Sequence, residues 1–225
     1  MKKFAVIVAA GSGSRMGSMI PKQFMMLKEK PVLYYTLKMF LDTYPDLQVI
    51  LVLPSAYMEM GTQIVEAWFD KQRVQLTEGG GTRFQSVKNG LQLAEEEAII
   101  FVHDGVRCLV SSDLIRRCYQ QAELSGSAIP VIPSRDSVRL VRQDGNEMLE
   151  REKVVMVQTP QTFQGKILIP AYQVEYQERF TDEASVAEAF GNRVSLVEGE
   201  ENNIKITRPV DFWMAEKILD ELNIT

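Results

Sequence analysis

The chain has 225 residues, 45% of them hydrophobic, and a formal net charge of −5. This length suits one α/β domain or one domain with an appendage, and the apolar content is enough for a sizeable core. The acidic balance argues against binding nucleic acid through a broad basic face. No hydrophobic run approaches membrane-spanning length. Two cysteines, Cys108 and Cys118, cannot form a disulfide framework and suit a reducing compartment, so a cytoplasmic location is expected. His103 is the one histidine, so a metal site would depend on oxygen ligands.

The first 133 residues alternate strand-like and helix-like segments. Phe4–Ala10 and Ile99–Val102 are continuous apolar runs, typical of strands buried on both faces. Further strands are predicted at Val49–Leu53, Val74–Leu76 and Ala128–Ile132, and helices at Pro31–Leu41, Tyr57–Phe69, Thr82–Glu97 and Ser111–Leu124. This order predicts an α/β fold with a Rossmann-like, mostly parallel twisted sheet and helices on both faces. Ligands of such sheets bind beyond the carboxyl ends of the strands.

The pattern changes after Pro133. The segment "SVRLVRQDGNEMLEREKVVMVQTPQ" alternates apolar and polar residues around Asp144-Gly145, which predicts a β-hairpin. A single hairpin with this many polar residues has little hydrophobic core of its own. It therefore lies on a partner subunit or across the site, or is a solvated surface hairpin. The chain is predicted to form one domain over 1–225 with this arm at about 136–157. The later elements are helices near Lys166–Glu178, Asp182–Phe190 and Pro209–Leu222, and a strand at Arg193–Val197.

The segment from the first strand onward, "VIVAAGSGSRMGSMIPKQF", combines glycines with two cations, Arg15 and Lys22. A dinucleotide-binding fold is disfavoured, because Met16 stands at the third glycine position and Pro54 where an acid should bind the ribose. No segment matches the GxxxxGK pattern of a Walker loop. A loop around a nucleoside triphosphate fits better, because glycines let backbone N–H groups approach phosphate oxygens. A tight turn with two solvated cations is the alternative.

Seven segments occur in order along the chain: "AAGSGSRMG", "PKQF", "GGGTRFQSVKNGL", "VHDGVRC", "QTPQTF", "TDEAS" and "NIKITRP". With them the sequence resembles the sugar-phosphate cytidylyltransferases, most closely those that act on 2-C-methyl-D-erythritol 4-phosphate. The resemblance implies transfer of CMP from CTP to that acceptor with release of pyrophosphate, by direct in-line attack, in the non-mevalonate isoprenoid pathway. It also implies Mg²⁺ and a homodimer.

Two alternatives stay open at this point. One is a cytidylyltransferase for a polyol phosphate such as ribitol 5-phosphate, although that group usually begins "LAGG" where this chain reads "VAAG". The other is a nucleotide-binding regulatory protein without turnover.

The resemblance also implies roles for individual residues. CTP would be bound by Ala9, Ala10, Gly11, Gly13, Arg15, Lys22, Gly79, Gly80, Ser86 and Asp104. The acceptor would be bound by Asp104, Arg107, Ser137, Arg151, Thr159, Thr181 and Lys205. Arg15, Lys22 and Lys205 would carry catalysis by neutralising phosphate charge, and Asp104 would hold the metal. Ser137 and Arg151 would reach the neighbouring subunit through the arm.

Three of these residues can also be read from their surroundings. Asp104 follows an apolar strand, where an unpaired buried charge is costly, although it could simply cap a turn. Lys205, between Ile204 and Ile206 on a predicted short strand, points away from both. Its surroundings alone favour a solvated lysine, whereas the resemblance implies that it reaches the reacting phosphate. Thr181 is equally a candidate helix N-cap, and a helix N-terminus can itself bind phosphate.

The chain departs from the family pattern at several positions. Cys108 stands where proline is usual, so Arg107 is expected on a looser loop. Gly81 replaces a common acid, which puts one nucleotide contact in doubt. Asn202 stands where many members have aspartate, so a second metal contact there is expected to be weaker.

Overall fold

The computed structural model of the chain describes residues 1–11 and 20–222. The strands are β1 (Lys2–Val8), β2 (Met26–Leu27), β3 (Lys30–Pro31), β4 (Leu47–Leu53), β5 (Val74–Glu78), β6 (Ala98–Asp104), β7 (Ser127–Pro133), β8 (Val138–Arg142), β9 (Gly145–Leu149), β10 (Val155–Val157), β11 (Gln161–Gln164) and β12 (Leu196–Glu198). The helices are α1 (Val32–Thr43), α2 (Met58–Trp68), α3 (Arg83–Leu91), α4 (Ser112–Ser125), α5 (Gly165–Ala171), α6 (Glu183–Ala189) and α7 (Pro209–Glu221). Within the described ranges, no helix is both long and apolar enough to cross a membrane.

The main sheet has the order β10-β7-β11-β6-β1-β4-β5, with β12 added beside β7. Its centre is parallel, because β1 pairs with both β4 and β6, and β4 pairs with β5, in that sense. The expected mostly parallel α/β sheet is thereby confirmed.

Helices cover both faces of the sheet. Successive residues of β1 face opposite sides, as the two-residue period of a strand requires. Ala5 and Ile7 pack with α1, α2 and α4, whereas Phe4 and Val6 pack with α3, α5 and α6. A smaller cluster joins α7 to the β2–β3 turn and to the loop after β6. Two buried faces explain why β1 reads as a continuous apolar run.

The sheet also contains a strand that the sequence pattern missed. β11 lies antiparallel between β6 and β7, although "QTFQ" has little apolar character. Its polar side chains are satisfied within the fold. Gln161 donates to Asp182 Oδ2 at 3.0 Å and accepts from the backbone N–H of Ala184 at 2.8 Å. Phe163 is the one apolar residue buried in this strand, and a single apolar position gives no periodicity to detect.

Three predicted elements are shorter or displaced. α3 ends at Leu91 rather than Glu97, and the carbonyl of Glu96 accepts instead from Lys166 N at 2.9 Å. α5 ends one residue beyond Pro170 instead of continuing to Glu178, consistent with proline's lack of a backbone donor. The strand predicted at Arg193–Val197 begins three residues later, as β12.

The predicted hairpin is confirmed as the two-stranded sheet β8–β9, which pairs with no other strand within residues 1–11 and 20–222. Its side chains are mostly exposed, and they include Val141 and Met148, which are 80% and 70% exposed. A hairpin with so little buried area has no core of its own to stabilise it.

Candidate active site

A cavity of about 460 Å³ lies beyond the carboxyl ends of the parallel strands. The strand ends are held there by backbone hydrogen bonds that continue past them. Ala9 N donates to Val52 O at 2.9 Å, Gly79 N to Leu53 O at 2.7 Å, and Gly105 N to Val8 O at 2.9 Å. Because all these strands run in one direction, their following loops meet at one edge.

Most residues predicted for CTP binding line this cavity. They are Ala9, Ala10, Gly11, Lys22, Gly80, Ser86 and Asp104, and Lys205 joins them from the acceptor set. Gly79 lies behind the wall, and a Cβ added there would come within 2.4 Å of the Ala10 Cβ and 3.0 Å of Ser86 Oγ. A residue without a side chain is therefore required at this position. Gly13 and Arg15 lie outside the described residues.

Ser86 and Gln23 hold the cavity wall through buried hydrogen bonds. Ser86 Oγ donates to Thr82 O at 2.9 Å and accepts from Gly80 N at 3.1 Å, so it fixes the second glycine loop. Gln23, which the sequence analysis missed, donates to Ala9 O at 2.6 Å and to Gly11 O at 3.1 Å. Its place in "PKQF" was a signal, but only the fold shows the contact.

A second cavity of about 210 Å³ adjoins the first. Arg107, Thr159 and Thr181 from the predicted acceptor set line it, and both cavities share Arg83, Asp104 and Lys205. Ser137 and Arg151 line neither cavity of their own chain and are exposed on the arm. The structure therefore brings the predicted groups together except those on the arm and those outside the described residues.

Asp104 is the charge centre shared by the two cavities. It is 7% exposed, and its Oδ1 accepts from Arg83 Nε and Nη2, both at 3.3 Å. Its Oδ2 lies 2.7 Å from Lys205 Nζ and 3.7 Å from Arg107 Nε. Burial by itself raises the pKa of Asp104, but Arg83, Lys205 and Arg107 outweigh it and hold that pKa well below its usual range. Asp104 is therefore a carboxylate at neutral pH.

Lys22 and Lys205 bring cationic side chains to the first cavity. Lys22 Nζ donates to the carbonyl of Ile206 at 2.6 Å, which places it beside the segment that carries Lys205. Lys205 itself is 39% exposed despite its ion pair. Two ammonium groups on one wall are suited to bind a polyphosphate.

The family model for 2-C-methyl-D-erythritol 4-phosphate cytidylyltransferase matches residues 4–221. The chain belongs to this family. The Bacteroides fragilis enzyme of that name is 44% identical over 97% of this chain and 100% of its own length, and the Phocaeicola vulgatus enzyme is 42% identical with the same coverage. The 4-diphosphocytidyl-2C-methyl-D-erythritol synthase of Anaerococcus prevotii superposes with a TM-score of 0.83 at 27% identity, covering 96% of this chain and 97% of that one.

Within this cytidylyltransferase fold, Arg83 and Glu183 form a pair that the sequence analysis did not single out. Arg83 Nη1 and Nη2 donate to Glu183 Oε1 and Oε2 at 2.5 and 3.1 Å. Burial raises the pKa of Glu183, and Arg83 opposes that rise. Both residues lie in quoted motifs, "GGGTRF" and "TDEAS", but the pairing of distant segments leaves no local signature.

The loop after β6 lacks the usual proline and is held by hydrogen bonds. Arg107 Nη1 donates to Asn203 O at 2.7 Å, and Arg107 N donates to Asp104 O at 2.9 Å. Cys108 is buried, and burial raises the pKa of its thiol to about 12. One long-range hydrogen bond, from Arg107 to Asn203, thus holds the side chain in place without the usual proline. That the backbone here is looser than in relatives with proline stays a prediction.

Two local expectations are also corrected. Asp182, not Thr181, caps α6, since its side chain accepts from Ser185 N at 2.9 Å. Thr181 precedes the cap and lines the second cavity. Lys205 lies in an irregular segment rather than a strand, although it does point to the site while Ile206 is buried.

His103 is a buried neutral imidazole in a chain of hydrogen bonds beneath the site. The carbonyl of Arg107 can only accept, so the proton lies on Nε2, 3.1 Å away. Asp104 N donates to Thr159 Oγ1 at 3.1 Å, and that hydroxyl donates to His103 Nδ1 at 3.0 Å. With this tautomer, every donor and acceptor in this series of hydrogen bonds has a partner. It ties β6 to the segment that carries Thr159.

We expect His103 to make folding pH-dependent. Burial lowers its pKa from 6.5 to about 4, so between these values the unfolded chain binds a proton that the folded chain does not. Stability from this group is complete above about pH 6.5 and is lost as the pH falls. The free energy of unfolding should drop by about 2 kcal/mol between pH 7.5 and pH 5 through this group. Urea unfolding at several pH values measures it.

The His103→Gln variant provides the comparison, because it removes the titrating ring while other ionisable groups are unchanged. Its stability should fall less over the same range. The single histidine also gives one C2–H resonance in NMR spectra, which should keep its neutral position at pH 5. Equal pH dependence in both proteins would contradict the prediction.

The described residues do not form a metal site from protein ligands alone. There, no group of three or more His, Cys, Asp or Glu side chains is arranged to hold a metal ion. Asp104 has both oxygens directed at cations. A divalent cation would therefore depend on substrate phosphates for most of its ligands.

Proposed function

We propose that this chain transfers the cytidylyl group of CTP to 2-C-methyl-D-erythritol 4-phosphate and releases pyrophosphate. The observation that carries the proposal is the pair of adjoining cavities that share Asp104 and Lys205 in a member of this family. One cavity has a wall of small residues and lysines, and the other has hydroxyls and two arginines. This is the arrangement expected for a nucleotide beside a phosphorylated acceptor.

The first cavity would receive CTP. Ala9, Ala10 and Gly11 offer backbone close to the ligand, and Gly80 does so from the second loop. Gly79 would act from behind the wall, by letting that loop pack against Ala10 and Ser86. Small residues suit this role because main-chain hydrogen bonds to a base or ribose need close approach. Lys22 and Lys205 would bind phosphate oxygens, and Arg15 would add a further cation from outside the described residues.

The second cavity would receive the acceptor. Arg107 and Lys205 supply positive charge, and Thr159 and Thr181 supply polar groups for the sugar hydroxyls. The hydroxyl hydrogen of Thr159 is already donated to His103. Toward the acceptor, this hydroxyl can therefore only accept a hydrogen bond.

The reaction needs positioning and charge neutralisation rather than a covalent intermediate. An oxygen of the acceptor phosphate forms a bond to the α-phosphorus of CTP, and the bond from that phosphorus to the bridging oxygen of pyrophosphate breaks. Lys22 and Lys205 would stabilise the charge that accumulates on the α-phosphoryl oxygens. Losing one such donor typically costs about 2.7–4 kcal/mol of transition-state stabilisation.

We propose Mg²⁺ as the cofactor, with Asp104 as its protein ligand. Asp104 is ionised and lies at the edge shared by both cavities. Mg²⁺ commonly binds through one or two carboxylates plus substrate phosphates, which one aspartate can satisfy. Bound there, the cation would neutralise triphosphate charge. Asp104 would keep Oδ1 on Arg83 and offer Oδ2 once Lys205 turns to a phosphate.

We further propose a homodimer in which the arm covers the neighbouring site. The arm exposes Val141, Met148 and Met156 and has no core of its own. Ser137 and Arg151 lie on it and line neither cavity of their own chain. A second copy would both bury these apolar groups and receive the two polar ones. We also propose a cytoplasmic location, supported by two buried thiols without a disulfide.

Hybrid dimers test the shared site. Mixed Lys205→Ala and Arg151→Ala proteins should regain up to about a quarter of the unaltered activity, because half of a statistical mixture is hybrid and each hybrid holds one intact site of two. Either variant alone should be nearly inactive. Subunit mixing is verified by native mass spectrometry. Verified hybrids without regained activity would rule out an exchanged arm.

Pyrophosphate release tests the reaction itself. The chain is given CTP and Mg²⁺ with either 2-C-methyl-D-erythritol 4-phosphate or ribitol 5-phosphate. We expect turnover with the first acceptor and little with the second. Turnover with ribitol 5-phosphate alone would overturn the acceptor, and inactivity with both despite CTP binding would leave a nucleotide-binding protein without turnover.

A further inference from the structure

Arg83 and Glu183 are the first residues of two helices that meet between the cavities. Each helix start is fixed by a reciprocal cap, Thr82 with Gln85 for α3 and Asp182 with Ser185 for α6. Such caps satisfy orphan N–H groups and hold the first turn in place. The two side chains therefore leave rigid positions, which is the condition for precise placement of a third group.

The hydrogen bonds of the Arg83 guanidinium are largely used within the protein. One edge, Nη1 and Nη2, binds both oxygens of Glu183, and the other edge, Nε and Nη2, binds Asp104 Oδ1. Tyr172 donates a further hydrogen bond to Glu183 Oε1 at 3.1 Å. Glu183 is 0% exposed, and donors at both its oxygens are the arrangement of an ionised carboxylate. Arg83 is thus committed to two carboxylates.

The two oxygens of Asp104 consequently have partners of different kinds. Oδ1 faces Arg83, which is anchored by Glu183 from behind. Oδ2 faces Lys205 at 2.7 Å and Arg107 Nε at 3.7 Å, which is beyond hydrogen-bond distance. Lys205 is 39% exposed and has no anchor comparable to Glu183 among the contacts that the structure describes. Lys205 can turn toward a phosphate, whereas Arg83 cannot do so without leaving a buried carboxylate unpaired, at a high cost.

We propose that Glu183, acting through Arg83, is a positioning residue for the cytidylyl transfer. It fixes the guanidinium on Asp104 Oδ1, so that the carboxylate keeps its place when Lys205 moves from Oδ2 to the reacting phosphate. It also keeps Arg83, which lines both cavities, from leaving Asp104 and competing for substrate phosphate. The inference rests on the proposed function, because it assigns a role within that reaction.

The Glu183→Gln variant tests the role by separating kcat from KM. Glutamine has the same size and still accepts from Tyr172, but it no longer holds Arg83 by charge. We expect kcat to fall about 10–100-fold, the range usual for groups that orient a catalytic residue, while KM for CTP changes less than about 2-fold. Glu188→Gln is the matched control, since it is the same substitution on an exposed residue of α6.

A double-variant cycle shows whether Glu183 acts through Arg83. Arg83→Met alone leaves Glu183 buried and unpaired, so this variant should melt at a lower temperature than the unaltered chain. Adding Glu183→Gln removes that charge, so the double variant should melt higher than Arg83→Met. Its kcat should be no lower than that of whichever single variant is less active. If Arg83 and Glu183 acted independently, the fold-loss in kcat of the double variant would instead be the product of the losses in the two single variants.

The outcomes separate this inference from the proposed function. Inactivity of the unaltered chain would overturn the proposed function and the positioning role with it. An active chain in which Glu183→Gln keeps its kcat, or in which the two losses multiply, would overturn the positioning role alone. If Glu183→Gln does not fold, the double variant, which leaves no unpaired charge, supplies the kcat comparison with Arg83→Met at a temperature where both are folded.

Discussion

Replacing Lys205 by alanine is expected to lower kcat by about 100–1000-fold, the usual cost of losing one preorganised donor to a developing oxyanion. Lys205 lies at the junction of the two cavities, with Nζ 2.7 Å from Asp104 Oδ2. It is therefore placed to contact both the acceptor phosphate and the α-phosphate. Initial rates of pyrophosphate release at saturating CTP and acceptor measure the change.

The same variant should remain folded. Asp104 keeps Arg83 and Arg107 as partners, so removal of a half-exposed lysine leaves no unpaired buried charge. Its melting temperature should change by no more than a few degrees, equivalent to about 1 kcal/mol. Lys217→Ala is the matched control, because Lys217 is exposed on α7, away from both cavities. A kcat within threefold of the unaltered value would remove Lys205 from the mechanism.

Replacing Asp104 by asparagine is expected to impair both stability and activity. The substitution keeps the size of the side chain but removes the negative charge between Arg83, Arg107 and Lys205. Removing one partner of a buried ionic network commonly costs about 3–5 kcal/mol. Denaturant unfolding measures the stability, and pyrophosphate release should fall at least about 100-fold, because the proposed metal ligand and the anchor of Lys205 are both lost.

Asp46→Asn is the matched control for Asp104. Asp46 also pairs with a lysine at 2.7 Å, but its side chain is 62% exposed, so its loss should cost less than about 1 kcal/mol. A second comparison is Asp104→Asn combined with Lys205→Met, which removes one of the three repelling cations and should restore part of the stability. Equal stability of the Asp104→Asn and Asp46→Asn variants would contradict the charge-centre description.

The buried groups around the site have distinct roles that follow from their hydrogen bonds. His103 is neutral and links Thr159 to the carbonyl of Arg107, so it supports the loop rather than exchanging protons with substrate. Glu183 holds Arg83 from behind. Asp104, Lys22 and Lys205 line the first cavity. The reacting groups thus lie on a layer of polar residues that are mostly held by hydrogen bonds within the protein. Among the described residues, the buried side-chain nitrogen and oxygen atoms without a hydrogen-bond partner are Arg107 Nε and Asn203 Oδ1.

Much of this arrangement was accessible from the sequence, because it depends on local patterns. Apolar runs such as Ile99–Val102 define strands buried on both faces. The glycines after β1 and β5 mark close backbone approach, and Asp104 directly follows the apolar core of β6. Parallel strands carry their following loops to one edge. The fold class and the edge that holds the site therefore follow from residues close together in the chain.

The tertiary structure alone decided how distant segments complete the site. Arg83 and Glu183 are 100 residues apart, and nothing near either one specifies the other. β11 is a strand because it fits between β6 and β7 and its polar side chains find partners there. The tautomer of His103 depends on Thr159 and Arg107 from two different segments. Such contacts depend on the path of the whole chain, whereas periodicity and composition report only what a segment does with its neighbours in sequence.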